Sequence, residues 1–457
     1  RIVFAALCDK LFDIDEKANI VPQLALSQET SADGKTMTIK LRSGVKFHDG
    51  EPFNAEAAKY SLDRHIKMKG SFRRPELSVV DSVDVVDATT IRLNLKQPFS
   101  PLLAQLTDRA GMMVSPKAAE AAGEKFALNP VCAGPFKFVE RVQQDRIVVE
   151  KFADYWDKDR VFIDKITYLP IVDSTIRLAN LRSGSLDLIE RLLATDIKTV
   201  RSDPKLKLSK AVSLGWYGLL VNVDNGPKSN NPLGKDPRVR QALELSLDRE
   251  TINQVVFNGE FVPGNQWVNP QSPYFQEKFP IPKRDVAKAK ALLKEAGVQT
   301  PLTLDFMVNN TSDTKALAEV IQSMAAEAGF DLKIRVVEAA SALKSAEGGE
   351  FQLYENTWSG RIDPDGNTVL YQMCGSPLNT GRYCDKEVDE LHNQARATND
   401  VAQRKAIYEK MTAKFLANGW IIYIYHPQYL IAQTVKLEGF KPVPDGLLRV
   451  VGLKLAK

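Results

Sequence analysis

At 457 residues the chain is too long for a single hydrophobic core and should divide into two or three domains. Its 44% hydrophobic and 26% charged content is that of an ordinary globular protein, which argues against disordered, collagen-like and coiled-coil classes. The 61 basic and 57 acidic residues give a net charge of +4 without a basic stripe, so nucleic acid is not an expected partner.

The chain opens on RIVFAALCDKLF, already mixed polar and apolar, so any targeting segment is expected outside this sequence. TMTIKLR (36–42) interleaves polar and apolar residues as a strand does, and DATTIRLNLKQPF (87–99) repeats the pattern between turn residues. Between them NAEAAKYSLDRHI (54–66) reads as a helix capped by Asn54. DKITYLPIVD (164–173) is extended. STIRLANLRSGSLDLIE (174–190) follows as a helix ending at Gly184 and then a short strand. WYGLLVNV (216–223) is a further strand candidate.

From there the pattern turns α/β. PRVRQALELSLDRETINQVVFNG (237–259) reads as helical, and RDVAKAKALLKEAG (284–297) as a helix with Asp285 near its start and Gly297 as its C-cap. LTLDFMV (302–308), a helix over 314–329 and LKIRVVE (332–338) make a β-α-β unit with an expected right-handed crossover. On that helix Leu317, Val320, Ile321, Met324 and Ala325 share one face. Helices around 386–417 and the apolar run 421–425 complete the region. That run is far shorter than the roughly 18 residues that cross a bilayer. No repeat or low-complexity linker interrupts the chain, so the domains are expected to be interwoven.

A catalytic set is not apparent. No P-loop, Rossmann fingerprint, HExxH or GxSxG occurs. His48 in a turn reads as a surface or capping residue, and His65 as the end of a charged helix. His392 falls in a polar helix, and His426 precedes Pro427 after an apolar strand. Asp363 and Asp365 in RIDPDGN could serve a glycosidase or a metal. The simpler reading is a turn set by Pro364, with Asp365 or Asn367 capping the following helix. Cys8, Cys132, Cys374 and Cys384 allow four buried thiols or two disulfides in three pairings. The stretch between Cys374 and Cys384 is a Gly/Pro/Asn-rich loop that could fold back. The spacing does not suit zinc.

Several ordered segments together resemble the family 5 extracellular solute-binding proteins of ABC importers, which take dipeptides, oligopeptides, glutathione or nickel. They are IVPQLALSQETSADGKTMTIKLRSGVKFHDGEPFNAEAAKYSLDR (20–64), NPVCAGPFKF (129–138), DYWDKDRVFIDKITYLPIVDSTIRLANLRSGSLDLI (154–189), DPRVRQALELSLDRETINQVVFNG (236–259), RDVAKAKALLKEAG and YCDKEVDELHNQAR (383–396). The resemblance implies an α/β, two-lobed periplasmic-binding-protein clamshell (type II, cluster C) with an additional α/β domain. Lobe I would comprise 1–12, 165–240 and 430–457, domain II 13–164 and lobe III 241–429. It implies a periplasmic or otherwise extracytoplasmic location, and an additional strand ahead of the segment that opens this chain. An oxidising compartment favours disulfides, Cys374–Cys384 and Cys8–Cys132.

The resemblance also implies a non-enzymatic subunit with no cofactor. Its partners would be a small-molecule or short-peptide ligand and the permease subunits of an ABC transporter, the chain itself being a monomer. Ligand is held between lobes and favours the closed form. TWSGRIDPDGN (357–367) is similar to the family segment that carries an acidic partner for a peptide's α-ammonium group, but here Arg361 follows Trp358-Ser359-Gly360. A guanidinium there favours a carboxylate or phosphate. The expected ligand is thus an acidic peptide, a glutathione-like molecule or an opine-like amino-acid conjugate. The alternative is an internal salt bridge from Arg361 to Asp363 or Asp365. Trp358 offers an apolar wall. Trp216, Tyr217, Arg109, Asn309 and Asn310 are further candidates, each open to plain packing or solvation. A hydrolase on the same scaffold and a nickel or haem binder are the rival readings.

Overall fold

The computed structural model describes residues 2–456. The chain divides into two compact units and passes between them four times. The first holds the residues up to Glu190, then 200–211 and those from 431 onward; the second holds 191–199 and 212–430. Strand 216–221 pairs with strands 353–358 and 421–426 within the second unit.

In the first unit four antiparallel strands, β1 (Ala25–Thr30), β2 (Thr36–Leu41), β3 (Val80–Asp87) and β4 (Thr90–Leu95), lie in the order β1-β2-β4-β3. Met37, Ile39 and Leu41 alternate inward along β2, as its polar–apolar pattern requires. Helix α1 (Ala55–Lys67) lays Ala55, Ala58 and Leu62 into the same core, and Asn54 caps it by accepting the amide of Ala57. The expected long strand over 87–99 is shorter, because Ala88 and Thr89 turn the β3–β4 hairpin. A second antiparallel sheet joins β5 (Phe136–Val142), β6 (Arg146–Lys151) and β7 (Lys165–Tyr168). Helix α2 (Ser174–Ser183) ends at Gly184, which is left-handed at φ 83°.

The second unit is built on a six-stranded mixed sheet. Its strands are β8 (Trp216–Val221), β9 (Val262–Pro263), β10 (Leu302–Asn309), β11 (Phe330–Val337), β12 (Leu353–Trp358) and β13 (Ile421–His426), in the order β9-β13-β8-β12-β10-β11. β10 and β11 run parallel, from Leu302↔Phe330 to Asn309↔Val337, joined through helix 312–327 as the β-α-β reading requires. Every residue of the central strand β8 is buried, which explains its unbroken apolar run. Helices 339–347, 386–397 and 401–418 cover one face through Ala342, Val388, Leu391, Tyr408 and Phe415. The helical run over 237–259 is two helices, Pro237–Leu245 and Arg249–Phe257. Asp248 breaks it, turning its carboxylate to the amide of Thr251 and capping the second. No described helix is long and apolar enough to cross a membrane.

Candidate ligand site

The segment that carries Arg361 leaves the sheet where β12 ends, opposite Trp216 of β8. Two glycines allow the exit. Gly360 sits at φ 78°, and a Cβ there would lie 2.1 Å from the Leu214 carbonyl carbon; a Cβ on Gly215 would lie 1.6 Å from the Trp358 carbonyl oxygen. The backbones of 214–215 and 358–360 therefore touch directly, and only glycine fits. Beyond this crossing the chain presents Arg361 and then starts the helix Asp365–Gln372.

Arg361 is buried, at 5% exposure. Its guanidinium carbon lies 4.7 Å from the centre of the Trp358 ring, and its Nη1 donates to the Gly360 carbonyl at 2.8 Å. Asn367 holds both side chains. Its Oδ1 accepts the Arg361 amide at 2.7 Å and the Trp358 indole Nε1–H at 3.1 Å, while its Nδ2 donates to the Arg361 carbonyl at 3.1 Å. Trp358 Nε1 also donates to the Gly366 carbonyl at 3.0 Å.

The two carboxylates beside Arg361 each hold an arginine from a later helix. Asp363 accepts Nη1 and Nη2 of Arg404, both at 2.8 Å, and Asp365 accepts Nε and Nη2 of Arg396 at 2.5 and 3.2 Å. Arg404 is fixed in turn by Tyr274 Oη at 3.0 Å and the Ala395 carbonyl at 3.0 Å. Burial pushes the Asp365 carboxyl above its ordinary range, and Arg396 opposes that shift. This corrects the capping expectation. Pro364 occupies the N-cap position with no side-chain cap, and Asp363, not Asp365 or Asn367, accepts the first helical amide, that of Asp365, at 2.9 Å. A carboxylate buried as deeply as Asp365 needs a cation more than the helix start needs a cap.

The remaining candidates are distributed elsewhere. Trp216 is fully buried and packs edge-on between Tyr371 and Tyr423 at 4.9 and 5.0 Å. Tyr217 lies on the other face, stacked on Tyr425 at 4.6 Å. Asn309 gives its amide and Nδ2 to Oε2 of Glu355, at 3.0 and 2.7 Å, while Asn310 is exposed beyond the strand end. Arg109 belongs to the first unit, where its Nε lies 3.6 Å from Asp108.

Cys8 and Cys132 are joined by a disulfide, as are Cys374 and Cys384. His48 is not a surface or capping residue: its Nδ1 accepts the Cys132 amide at 3.3 Å and its Nε2 faces the Gly134 carbonyl at 3.1 Å. Burial pulls His48, His65 and His426 down to about 4, and His392 to about 3. Among the described residues no group of three or more His, Cys, Asp or Glu side chains could hold a metal ion.

Arg396 and Arg404 went unrecognised in the sequence, and Asn367 reads there only as a candidate cap. The arginines sit in polar helical stretches where a basic residue normally reads as solvated, and nothing local signals a carboxylate 31 or 41 residues away.

Two α/β units threaded by four crossings, one carrying the Trp358–Arg361 loop, have the architecture of a bacterial solute-binding protein. The chain belongs to the bacterial extracellular solute-binding proteins, family 5, matching the family's middle region over residues 19–380. It is 31% identical over 449 residues to glutathione-binding protein GsiB of Pectobacterium atrosepticum, covering 96% of this chain and 86% of the relative. With GsiB of Escherichia coli K12 the identity is 30% over 448 residues, with coverage of 95% and 86%. The structure of the PBP AgaA in complex with agropinic acid, from A. tumefaciens R10, is similar at TM-score 0.89 and 27% identity, covering 100% of this chain and 94% of AgaA. DppA from Helicobacter pylori in complex with the peptide STSA shares the fold, at TM-score 0.90, 24% identity and coverage of 100% and 93%. The protein is a solute-binding component of an ABC importer, of a family whose members bind small ligands or peptides and work with permeases.

Proposed function

We propose that this protein captures a small peptide-like or amino-acid-conjugate ligand bearing an anionic group, which pairs with Arg361 while Trp358 supplies an apolar wall. The observation that carries this reading is the seating of Arg361, over the Trp358 ring and with its backbone held by Asn367. A guanidinium in this segment repels an α-ammonium group and attracts a carboxylate. The named ligands of similar proteins support it, glutathione for the GsiB relatives and agropinic acid for AgaA. Capture follows the hinge closure that the family resemblance implies, with lobe I at 1–12, 165–240 and 430–457, domain II at 13–164 and lobe III at 241–429. The protein acts as an extracytoplasmic, periplasmic monomer that presents ligand to its permease and catalyses no reaction on it.

The test is thermal unfolding of protein stripped of ligand by unfolding and refolding. It is scanned against reduced glutathione, acidic peptides, opine-like conjugates and neutral dipeptides. A ligand at a hundred times its Kd adds about 2.7 kcal/mol to the native state. Anionic compounds should raise Tm, and Arg361→Ala should sharply reduce the rise without removing it. Equal shifts from neutral dipeptides, unchanged in Arg361→Ala, would refute the reading.

A further inference from the structure

We infer that Gly366 and Asn367 are positioning residues that seat Arg361 and thereby select an anionic ligand, an inference that rests on the function proposed above. Gly366 is the second residue of a helix, where alanine would ordinarily be favoured. It has no positive φ that would require glycine. Its role is spatial. A Cβ on Gly366 would stand 2.5 Å from Cγ and 2.7 Å from Cβ of Arg361, so the stem of the arginine lies across the bare backbone of the helix. These are the near atoms of the side chain and cannot swing aside without redirecting the guanidinium.

Asn367 completes the seat. At 1% exposure it grips the Arg361 amide and carbonyl, holds the Trp358 indole, and reaches the Leu214 carbonyl at 3.4 Å. One side chain therefore sets the direction in which Arg361 leaves the backbone and the plane of the ring beneath it. Asp363 and Asp365 hold the flanks of the segment, and Gly366 and Asn367 hold its centre. The pair of residues after Asp365 thus sets the direction of the side chain at 361, which is arginine here where a family pattern has an acid.

The experiment is a double-mutant cycle on the whole protein, with affinity read by calorimetry and folding by Tm. The probe is whichever of reduced glutathione, an Asp-containing dipeptide or an N-carboxyalkyl amino acid binds wild type most tightly. Arg361→Gly removes both atoms that meet position 366. Gly366→Ala and Asn367→Ala should each cost about tenfold in affinity when Arg361 is present, and less than about twofold in the Arg361→Gly background. Gly366→Ala should lower the Tm of wild type and raise that of Arg361→Gly, where the clash is gone and helix propensity alone acts. Equal losses in both backgrounds, or unchanged affinity in Gly366→Ala, would overturn the inference alone. Wild-type binding of none of these probes, or undiminished binding by Arg361→Gly, would overturn the functional reading and this inference with it.

Discussion

Asp363 and Arg404 meet through two contacts of 2.8 Å each, between a carboxylate and a guanidinium that are 12% and 5% exposed as side chains. Two residues 41 positions apart are thereby locked at the root of the loop that carries Arg361. Asp363 holds the guanidinium charged, and Arg404 titrates well above the ordinary arginine range. Removing one partner strands the other charge in a desolvated place. Asp363→Ala or Arg404→Ala should each cost about 3–5 kcal/mol, while a well-packed apolar pair replacing both should be close to neutral. Denaturant unfolding of the singles and the double measures this. A loss under about 1 kcal/mol in both singles would mean that water reaches the pair.

Gly360 and Gly184 have similar left-handed φ values, 78° and 83°, but different surroundings. Nothing lies within 4 Å of a Cβ built on Gly184, whereas the Leu214 backbone is 2.1 Å from one built on Gly360. Alanine at 184 pays only for the dihedral, about 1–2 kcal/mol. At 360 it must also push two backbone segments apart, so the loss should exceed about 3 kcal/mol and ligand binding should go with it. Equal Tm losses for Gly184→Ala and Gly360→Ala would contradict this.

What the sequence made legible was local. Asn54 announces its helix because an N-cap acts over three residues. The 302–338 β-α-β unit shows itself in the period of its apolar residues. The break at Asp248 was present as a capping signal but masked by helical residues on both sides. Asp365 misled for a different reason. Proline favours the first helical position and so points to Asp363 as the cap, while 2% exposure and Arg396 decide the use of Asp365, and neither is encoded nearby. For Trp216 the sequence leaves ligand contact, packing and solvation open, because the Tyr371 and Tyr423 rings it meets lie far along the chain.

The disulfides give a graded prediction. Cys8–Cys132 spans 124 residues and Cys374–Cys384 spans 10. The loop-entropy relation assigns about 5 kcal/mol to the longer closure and about 3 kcal/mol to the shorter. Replacing each pair by serines should lower stability in that order, measured by guanidinium unfolding of the oxidised protein. The same order should hold for wild type when each bond is reduced selectively. A larger loss from the 374–384 pair would show that unfolded-chain entropy is not what these bonds control.

Glu355 sets a pH dependence within the second unit. The carboxyl is fully buried on β12, with Oε2 held by Asn309 and with Tyr217, Tyr425, Tyr354 and Asp313 around it. Burial raises it from 4.5 to about 7; the Asn309 donors oppose that shift and Asp313 adds to it. Between those two values the native state keeps a proton that the unfolded chain has released. The contribution of Glu355 to stability therefore falls as pH rises from about 4.5 and levels off above about 7, by up to about 3 kcal/mol, while the buried histidines His48, His65, His392 and His426 act in the opposite sense up to about pH 6.5. Asp9 in the first unit, raised by burial from 3.8 to about 7 against the hydrogen bonds of Trp156 and Tyr155, acts in the same direction. Relative to wild type, Glu355→Gln and Asp9→Asn should each turn the slope of stability against pH upward, and the double variant more so, in urea unfolding from about pH 4.5 to 8. If Glu355→Gln leaves the slope untouched, the carboxyl is ionised throughout and a cation or water must neutralise it inside the sheet.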